Sequence, residues 1–379
     1  MKNNKVLHFP LRNNRGGIAK YILENWQYIN REEFSFDFIT FESQIDFRDK
    51  LLSEGCIVHN ISCYPSADKE CFYKEVNSIL DNGYDAIHLH TSRWTGIEIE
   101  EIAMARGVPN VIVHSHNTSI AIPQENTDKY DLFSKRHERI KTGFSLHWKQ
   151  YATNLCACSD MAGRWLFGNE LADNEVYVMK NAVDTKKLSY NRFVRERYRR
   201  ELNLGDRFVI GHVGRFSPQK NHEFIFEVFH EIAHLVPSVC LLLIGGGPKY
   251  NEINEMLHLY GLENNTILLG LREDVPELMQ AMDAFILPSL YEGLGIALVE
   301  AQAAGLLCFT SDAVPPEAKI LPDTLFLPLN KSVWREALID AARSGYERRD
   351  QAHMVDAAGY SIRESVKVLE RLYKGELRR

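Results

Sequence analysis

Short apolar runs alternate with longer amphipathic stretches along almost the whole chain, and this alternation occurs twice. Each half begins with a run rich in Val, Ile and Leu and continues with segments whose apolar residues recur at helical spacing. Near-continuous apolar runs are typical of parallel strands, because helices cover both faces of a parallel sheet. The pattern therefore predicts an α/β chain with two doubly wound parallel sheets, one in each half.

The alternation also gives the bounds of the predicted elements. In the first half we expect strands at 5–9, 36–41, 56–61, 86–91, 110–116, 153–159 and 176–179, and helices at 18–29, 67–81, 96–106, 128–151 and 161–167. In the second half we expect strands at 208–214, 239–244, 266–269, 284–287, 307–310 and 325–329, and helices at 223–235, 249–260, 275–281 and 296–304.

The length of 379 residues fits two domains, since a domain has about 100–200 residues. A polar, basic segment at 184–204 separates the two halves, so we predict a first domain at 1–185 and a second at 186–359. The tail at 359–373 is amphipathic and follows the last strand of the second sheet. Its pattern alone leaves open whether it covers the second domain or returns to the first.

Composition excludes several classes of protein. The net charge of −7 argues against a general nucleic-acid binder, since phosphates are met by basic surfaces. No uncharged run approaches the length of about 18 residues that a membrane span needs. The seven cysteines form an odd set without a CxxC pair, which favours a reduced chain in the cytoplasm.

Glycines, two cations and a carboxylate follow the strands predicted in the second half, where open α/β folds bind their ligands. Arg215 and Lys220 lie in the loop after the strand at 208–214, and three glycines at 245–247 follow the next strand. Arg offers phosphate a planar fork, and Lys offers it a mobile point charge. These residues suit a phosphorylated, hydroxyl-rich ligand, and the alternative is a solvated basic loop.

Glu292 and Glu300 stand eight residues apart, the first in a glycine-rich turn and the second about one turn into a predicted helix. Glu300 lies among apolar residues, and a buried carboxylate needs hydrogen-bonding partners. The two hydroxyls of a ribose would supply such partners. Neighbouring backbone groups or an arginine are the alternative.

The strand ends of the first half carry glycines and histidines. Gly16 and Gly17 precede a helix, where backbone amides can approach an anion, although a plain tight turn explains them as well. The pairs His88/His90 and His114/His116 each place two imidazoles on one strand face. Without a carboxylate or cysteine at ligand spacing we predict no metal site, and we expect one histidine of each pair to pack and the other to face a cleft.

The predicted helix that includes residues 133–151 is basic and carries aromatic residues, on a protein that is acidic overall. Its cations are Lys135, Arg136, Arg139, Lys141 and Lys149. An ordinary surface helix and a peripheral contact with an anionic membrane are both compatible with this composition.

Four segments of the second half resemble the retaining GT-B glycosyltransferases of family four. They read HVGRFSPQKNHEF at 212–224, LIGGGP at 243–248, LGLREDVPELM at 269–279 and LPSLYEGLGIALVEAQAAG at 287–305. The last contains the family's E-x7-E as Glu292 and Glu300. Three further segments also fit the family: Gly16-Gly17, HSHNT at 114–118 and NAVDTKKL at 181–188. The sequence of these motifs is most similar to that of capsular and exopolysaccharide assembly enzymes.

The resemblance implies two Rossmann-like domains that face each other across a cleft, with the nucleotide-sugar donor held by the second domain and the acceptor by the first. It implies that a C-terminal helix at about 360–379 crosses back to the first domain. It assigns Arg215 and Lys220 to the donor diphosphate, Glu292 to sugar hydroxyls, Glu300 to the ribose, and His116 to a place beside the donor sugar and leaving phosphate. The remaining donor-binding residues are expected to be Gly16, Gly17, Gly246, Leu271, Gly293, Leu294 and Gly295.

The function implied by the resemblance is retaining transfer from a nucleotide-diphosphate sugar, with UDP expected, to a saccharide or lipid-linked acceptor in capsule or exopolysaccharide assembly. No cofactor or metal is expected, because the two cations replace Mg²⁺ at the leaving group. The expected location is the cytoplasm, with a peripheral contact at the inner face of the membrane. The alternatives are a UDP-sugar 2-epimerase of the same fold and a non-catalytic nucleotide-sugar binding protein.

Overall fold

The structure is a computed structural model that describes residues 3–13, 16–119 and 127–377. The chain divides into two compact units. The first unit comprises Met1–Asn181 and Ile362–Arg379, and the second comprises Ala182–Ser361. The first unit thus ends four residues before the boundary predicted at 185, and the last helix is part of it.

The strands of each unit form one sheet in which every pairing is parallel. The first sheet contains β1 (Asn4–Phe9), β2 (Phe34–Thr40), β3 (Val58–Asn60), β4 (Ala86–Thr91), β5 (Asn110–Ser115), β6 (Asn154–Ala157) and β7 (Val176–Val178). The second contains β8 (Phe208–Val213), β9 (Val239–Ile244), β10 (Thr266–Leu268), β11 (Ala284–Leu287), β12 (Leu307–Ser311) and β13 (Leu325–Leu327). The prediction of two parallel, doubly wound sheets is confirmed.

The two sheets have the same winding. Their strand orders are β3-β2-β1-β4-β5-β6-β7 and β10-β9-β8-β11-β12-β13. In each, the chain winds outward from the first strand and then returns to wind the other way from its fourth strand. The crevice where the direction reverses lies beyond the carboxyl ends of β1 and β4 in one unit and of β8 and β11 in the other, and this is where such folds bind ligands.

Helices connect the strands. They are α1 (Gly17–Tyr28), α2 (Arg48–Ser53), α3 (Lys69–Leu80), α4 (Glu98–Ala105), α5 (Thr127–His147), α6 (Asp160–Phe167), α7 (Asn169–Asn174), α8 (Thr185–Leu188), α9 (Arg192–Glu201), α10 (His222–Leu235), α11 (Tyr250–Leu259), α12 (Val275–Ala281), α13 (Ile296–Ala303), α14 (Lys331–Ser344), α15 (Ala352–Val355) and α16 (Ile362–Tyr373). Each predicted helix is present, and the longest helices that the prediction omitted are α9 and α14.

Helix α9 occupies the segment that we predicted to be a polar linker. Its arginines hold it against the rest of the second unit: Arg195 donates to the Gln280 and Met282 carbonyls, and Arg199 donates to the Ala281 carbonyl. Both guanidinium groups also pair with the buried Asp283. Ionic and hydrogen-bond anchors replace an apolar stripe here, so hydrophobic periodicity gave no helix signal.

Helix α14 packs its apolar face into the core of the second unit. Trp334 and Leu338 are buried, and the Trp334 ring meets Phe224 of α10 edge to face with centroids 5.5 Å apart. The spacing of Trp334, Leu338 and Ala341 is a helix signal that the prediction omitted. A residue of this size buried at an aromatic contact stabilises the unit by several kcal/mol, because replacing Trp by Ala in a core costs about 3–5 kcal/mol.

Helix α16 closes the first unit rather than the second. The Asn110 side chain donates to the Leu372 carbonyl at 2.6 Å, and the Tyr373 hydroxyl lies 2.8 Å from His88 Nδ1. Because Leu369, Leu372 and Tyr373 are all buried, the amphipathic pattern of the tail has its apolar face in this core.

The expectation of a wholly reduced chain is wrong at one pair of cysteines. Cys63, in the loop after β3, and Cys71, in the first turn of α3, form a disulfide with their Cα atoms 6.5 Å apart, a separation that a disulfide can span. The loop returns the chain to the start of α3, which brings the two residues together. The other five cysteines are free and buried. Among the described helices, none is long and apolar enough to cross a membrane.

Candidate functional site

A buried ion pair joins the loops that follow β8 and β11. The Lys220 ammonium lies 2.5 Å from the Glu292 carboxylate, and the two side chains are 13% and 8% exposed. Lys220 ends a short 3₁₀ turn before α10, and Glu292 stands in the turn before α13. The topology of the sheet therefore brings together two residues that are 72 positions apart in the chain.

Two further side chains hold the Glu292 carboxylate. The Ser289 hydroxyl donates to Oε1 at 2.7 Å, and the Gln219 amide donates to Oε2 at 3.3 Å. Gln219 also binds the Tyr291 carbonyl at 2.9 Å, which ties the two loops together. Three charged or polar donors therefore hold this carboxylate in one orientation. Sequence reasoning missed these roles, because Gln219 and Ser289 are uncharged residues within the segments 212–224 and 287–305.

Arg215 is exposed in the loop after β8, beside the three glycines that follow β9. The loop is anchored by buried Phe216, whose amide donates to the Gly246 carbonyl at 2.8 Å. A Cβ atom at Gly245 would lie 1.9 Å from the Gly214 carbonyl oxygen, and one at Gly247 would lie 2.5 Å from that of Phe216. Only glycine allows these two loops to approach so closely.

Three other predicted donor-binding residues lie in the same region. A Cβ atom on Gly246 would lie 2.9 Å from the side chain of Leu271, which is 58% exposed. Gly295 begins α13 in the left-handed conformation with φ of +84°, and a Cβ there would lie 3.7 Å from Glu292. The structure thus places Gly246 next to Leu271, and Gly295 next to Glu292.

The three remaining residues predicted to bind the donor in the second unit are Gly293, Leu294 and Glu300, and they differ in what they can offer a ligand. Leu294 is 2% exposed, so its side chain belongs to the core and only its backbone remains for a ligand. Glu300 stands in the second turn of α13 and is 4% exposed. Gly293 lies between Glu292 and Leu294 in the same turn.

Two buried histidines lie behind Lys220. His212 Nδ1 lies 2.9 Å from the Ile286 carbonyl, and the His212 and His222 rings meet edge to face at 4.9 Å. Burial lowers the pKa of His212 to about 4 and lowers that of His222 as well, with a smaller contribution from the Lys220 charge. Both rings are therefore neutral at pH 7, and they leave the cationic charge of this region to Lys220 and Arg215.

In the first unit, Gly16 caps the start of α1 with an extended backbone, and Gly17 is its first residue. A Cβ at Gly17 would meet nothing within 4 Å, so space is open around it. The helix packs Tyr21 edge-on against the His114 ring, with centroids 5.0 Å apart. Asn14 and Arg15, which complete the predicted loop, lie outside the described residues.

All four histidines of β4, β5 and the residue after β5 are buried, and the expectation that one of each pair faces a cleft stays a prediction. His88, His90 and His114 are 0–3% exposed and His116 is 9% exposed. Neighbouring strands bring the pairs side by side, since His90 stands opposite His114 in the sheet register. His8 of β1 joins them, because its Nδ1 lies 3.0 Å from His90 Nε2.

These histidines form one hydrogen-bonded series with Tyr373 of α16, here named the histidine chain. Its members, in order, are His116, His90, His8, Tyr373, His88 and His114. The histidine–histidine links measure 3.0, 3.0 and 3.1 Å. The Tyr373 hydroxyl lies 2.8 Å from His88 and 3.5 Å from His8. The sequence predicted the paired histidines but not His8 or Tyr373, which only the fold brings to them.

Two overlapping trios within the histidine chain are close enough to share a metal ion: His8, His88 and His90, and His90, His114 and His116. Their facing nitrogens are already 3.0 Å apart. Because each facing pair of nitrogens is within hydrogen-bond distance, a metal ion would have to replace hydrogen bonds between the rings. The arrangement fits hydrogen bonds between neutral rings better than metal ligation.

The basic helix predicted at 128–151 is α5 followed by a 3₁₀ turn at Trp148–Gln150. Lys135, Arg139 and Lys149 are exposed. Leu132 and Leu146 of α5 are also exposed, by 66% and 72%. The helix thus presents both cations and apolar side chains at the surface of the first unit.

Comparison with known proteins gives a consistent result. Residues 194–351 match the family model of glycosyl transferases group 1. The chain is 32% identical over 378 residues to EpsF of Bacillus subtilis (strain 168), which is named a glycosyltransferase, and the match covers 97% of this chain and 96% of EpsF. It is 27% identical over 333 residues to the UDP-Gal:alpha-D-GlcNAc-diphosphoundecaprenol alpha-1,3-galactosyltransferase of Escherichia coli, covering 81% of this chain and 79% of that protein.

Solved structures share the fold. Anabaena HepE, crystallised with UDP and glucose, superposes with a TM-score of 0.76 at 18% identity over 98% of this chain and all of HepE. WaaG, a glycosyltransferase involved in lipopolysaccharide biosynthesis, superposes with a TM-score of 0.67 at 15% identity over 98% of each chain. The two Rossmann-like units are therefore those of the GT-B fold.

Proposed function

Since the chain belongs to the glycosyl transferases group 1 and is thereby a glycosyltransferase, we propose that it transfers a sugar from a UDP-sugar to a saccharide acceptor with retention of configuration. The observation that carries this proposal is the Lys220–Glu292 pair at the switch point of the second sheet, beside exposed Arg215. Cations placed there favour a diphosphate, and a fixed carboxylate accepts hydrogen bonds from sugar hydroxyls.

The ion pair does not prevent Lys220 from binding a diphosphate. An ammonium group has three donors, and Glu292 occupies one of them. Arg215 adds a planar fork that can reach phosphate oxygens from the exposed loop. Negative charge develops on the diphosphate as the sugar departs, so fixed cations aimed there lower the barrier without a metal ion.

Retention follows in this proposal from attack on the face that the diphosphate leaves. The anomeric centre becomes oxocarbenium-like, as in glycoside hydrolysis. Direct attack on that face removes the need for a nucleophilic carboxylate, and the departing phosphate oxygen takes the proton of the acceptor hydroxyl, which removes the need for a separate general base. Glu292 is then a sugar-binding group, held by Ser289 and Gln219 in the orientation that this task needs.

The roles of Gly16, Gly17 and His116 stay predictions carried by the resemblance. Each lies in the first unit, which the proposal assigns to the acceptor. The open space around Gly17 supports close approach of a ligand to the backbone. Glu300, buried in α13, stays the predicted partner of the ribose hydroxyls.

For the acceptor we propose a lipid-linked oligosaccharide in capsule or exopolysaccharide assembly. The support is the likeness to the E. coli enzyme whose name specifies a diphosphoundecaprenol acceptor. The exposed cations and leucines of α5 support a peripheral contact with an anionic membrane, where such an acceptor resides.

Incubation with UDP-sugars, one at a time, with and without a lipid-linked acceptor tests the proposal. We expect UDP release that depends on the acceptor and a product whose new linkage has the anomeric configuration of the donor by NMR. An epimerised sugar nucleotide formed without acceptor would identify an epimerase instead. Binding of UDP-sugars without any turnover, across acceptors, would identify a non-catalytic binding protein.

A further inference from the structure

The links of the histidine chain all have the same polarity. At each histidine–histidine link, the Nδ1 of one ring faces the Nε2 of the next. Tyr373 preserves this order, because its hydroxyl stands between Nε2 of His8 and Nδ1 of His88. A neutral imidazole donates through one nitrogen and accepts through the other. Only two complete patterns therefore exist: all five histidines carry hydrogen on Nδ1, or all five carry it on Nε2.

The geometry of the rings fits single hydrogen bonds between neutral imidazoles. The His8 and His90 rings are almost coplanar, at 6°, with centroids 5.3 Å apart, and the His88 and His114 rings are at 9° and 5.2 Å. Such rings meet edge to edge along the line of an N–H···N bond. Burial lowers the pKa of His8 and of His116 to about 3 and lowers the pKa values of the other three.

The position of the Tyr373 hydroxyl selects one of the two patterns. Its oxygen lies 2.8 Å from His88 Nδ1, the usual length for a hydroxyl donor, and 3.5 Å from His8 Nε2. We assign the hydroxyl hydrogen to the shorter of the two contacts, so that Tyr373 donates to His88 and His8 donates to the hydroxyl oxygen. His88 then carries its hydrogen on Nε2, and the order of the links passes the same tautomer to the other four histidines.

This pattern determines what the ends of the chain offer. Among the described residues, Nδ1 of His116 and Nε2 of His114 have no hydrogen-bond partner although both are buried. In the selected pattern His116 Nδ1 has no hydrogen and a free lone pair. His116 follows β5 at the carboxyl edge of the first sheet, where the fold binds ligands.

We propose that Tyr373 is a positioning residue that holds the five histidines as Nε2–H tautomers, so that His116 presents Nδ1 as an acceptor to a substrate hydroxyl. The role of His116 in transfer rests on the proposed function. The shared tautomer does not, because it follows from the links within the first unit. Through Tyr373, the C-terminal helix thus determines which nitrogen of His116 can accept a hydrogen bond.

The wild-type protein provides the first test. Long-range ¹H–¹⁵N NMR spectra of protein labelled in its 14 histidines distinguish the Nδ1–H, Nε2–H and cationic forms, and single His→Gln variants assign the signals. We expect His8, His88, His90, His114 and His116 to be neutral Nε2–H tautomers that do not change between pH 8 and pH 6. An Nδ1–H form at His116, or different tautomers among the five, would overturn the proposal.

The Tyr373→Phe variant keeps the ring and removes the link between the two halves of the histidine chain. We expect His116 to show a mixture of tautomers and kcat to fall about tenfold with KM unchanged, the size of effect usual for a group that orients another. Tyr360→Phe is the control, because the hydroxyl of this buried tyrosine donates to the Glu317 carbonyl in the second unit.

The outcomes test the positioning role of Tyr373 separately from the proposed function. Unchanged tautomers in Tyr373→Phe would overturn the positioning role whatever the activity. If the wild type shows the shared tautomer and Tyr373→Phe changes it, but neither protein transfers sugar, the histidine chain is upheld and the proposed function is contradicted. If Tyr373→Phe does not fold, the wild-type spectrum decides alone.

Discussion

The two sheets wind identically, yet the groups at their strand ends differ in charge. The second unit holds Lys220 and Glu292 as an ion pair with exposed Arg215 beside it. The first unit gathers five buried imidazoles and two glycines at its corresponding strands. The fold therefore provides a position for a ligand, and the residues after each strand decide whether it meets charge or neutral hydrogen-bonding groups.

The groups at the strand ends of the two units differ in charge because their partners differ. Lys220 and Glu292 form a salt bridge in which each side chain is the other's partner, and further donors surround the carboxylate. The histidines have one another and two tyrosines, so burial removes their charge instead. The second unit is thus suited to an anion, and the first to hydroxyl groups.

The largest expected effect is loss of stability of the first unit in acid. His8 and His116 have a pKa of about 3 when folded and 6.5 when unfolded, so the unfolded chain binds more protons below pH 6.5. The contribution of these two histidines to the free energy of unfolding is fully present above pH 6.5. It is lost as pH falls from 6.5 towards 3, by about 1.4 kcal/mol per pH unit for each histidine.

Hydrogen exchange at pH 7.5 and pH 5, corrected for the intrinsic rates, measures this loss in each unit. We expect protection of β4 and β5 to fall more than protection of β9 and β10, because five histidines are buried together in the first unit whereas the core beside β9 holds His212 and His222. The His258→Gln variant is the control, since this exposed histidine should leave the profile unchanged. Equal losses in the two sheets would contradict the charge contrast between the units.

Loss of the cations tests the other side of the comparison. Arg215→Ala and Lys220→Ala should each lower kcat by 10²–10³, equivalent to about 2.7–4 kcal/mol, as removal of one anion-stabilising donor does elsewhere. Arg215 is the cleaner site, because Lys220→Ala also leaves Glu292 buried without its cation. Lys331→Ala, which breaks an exposed pair with Glu227, is the control. Near-normal kcat in both site variants would refute the diphosphate assignment.

The sequence predicted the strands, and with them the strand ends that carry the candidate site residues, because strands depend on local apolar runs. It did not predict α9, whose anchors are arginines bound to carbonyl groups some 85 residues away. Nor did it predict the histidine chain, in which Tyr373 lies 285 positions from His88. Partners of this kind arise from the packed fold and have no local signature.

The same limit applies to the individual site residues. The E-x7-E motif identified Glu292, but the carboxylate is held by Ser289 and Gln219, which no charge pattern marks. Leu294 belongs to the same motif and is buried in the core. A motif therefore indicates where a site lies, while the packing decides which of its side chains can meet a ligand.

A smaller effect is expected at Glu300. Glu300→Gln should weaken UDP binding by about 1–2 kcal/mol, because a hydrogen bond from ribose to a charged carboxylate becomes a neutral one. Calorimetric titration with UDP measures the change, and Glu255→Gln on exposed α11 is the control. Unchanged UDP affinity would assign Glu300 a structural role in α13.

Each exposed cation of the basic helix should contribute about 1 kcal/mol to the free energy of binding to an anionic membrane. The triple change of Lys135, Arg139 and Lys149 to Gln should reduce co-sedimentation with anionic vesicles at low salt. The matched control changes the exposed Arg192, Arg197 and Arg200 of α9, which removes the same charge from the second unit. If both variants pellet like the wild type, α5 is only an ordinary surface helix.

The smallest expected effect is that of a chelator on activity, which should be nil. The cations Arg215 and Lys220 can offset the charge of a leaving diphosphate, which is the task that a divalent ion performs in other transferases. In the first unit, the nitrogens of the histidine chain are engaged with one another at 3.0–3.1 Å. A metal ion would have to break these bonds and bring two positive charges among neutral buried rings. Initial rates with EDTA, and with EDTA followed by excess Mn²⁺, should therefore match the untreated rate; loss of activity that Mn²⁺ restores would show that the chain uses a metal after all.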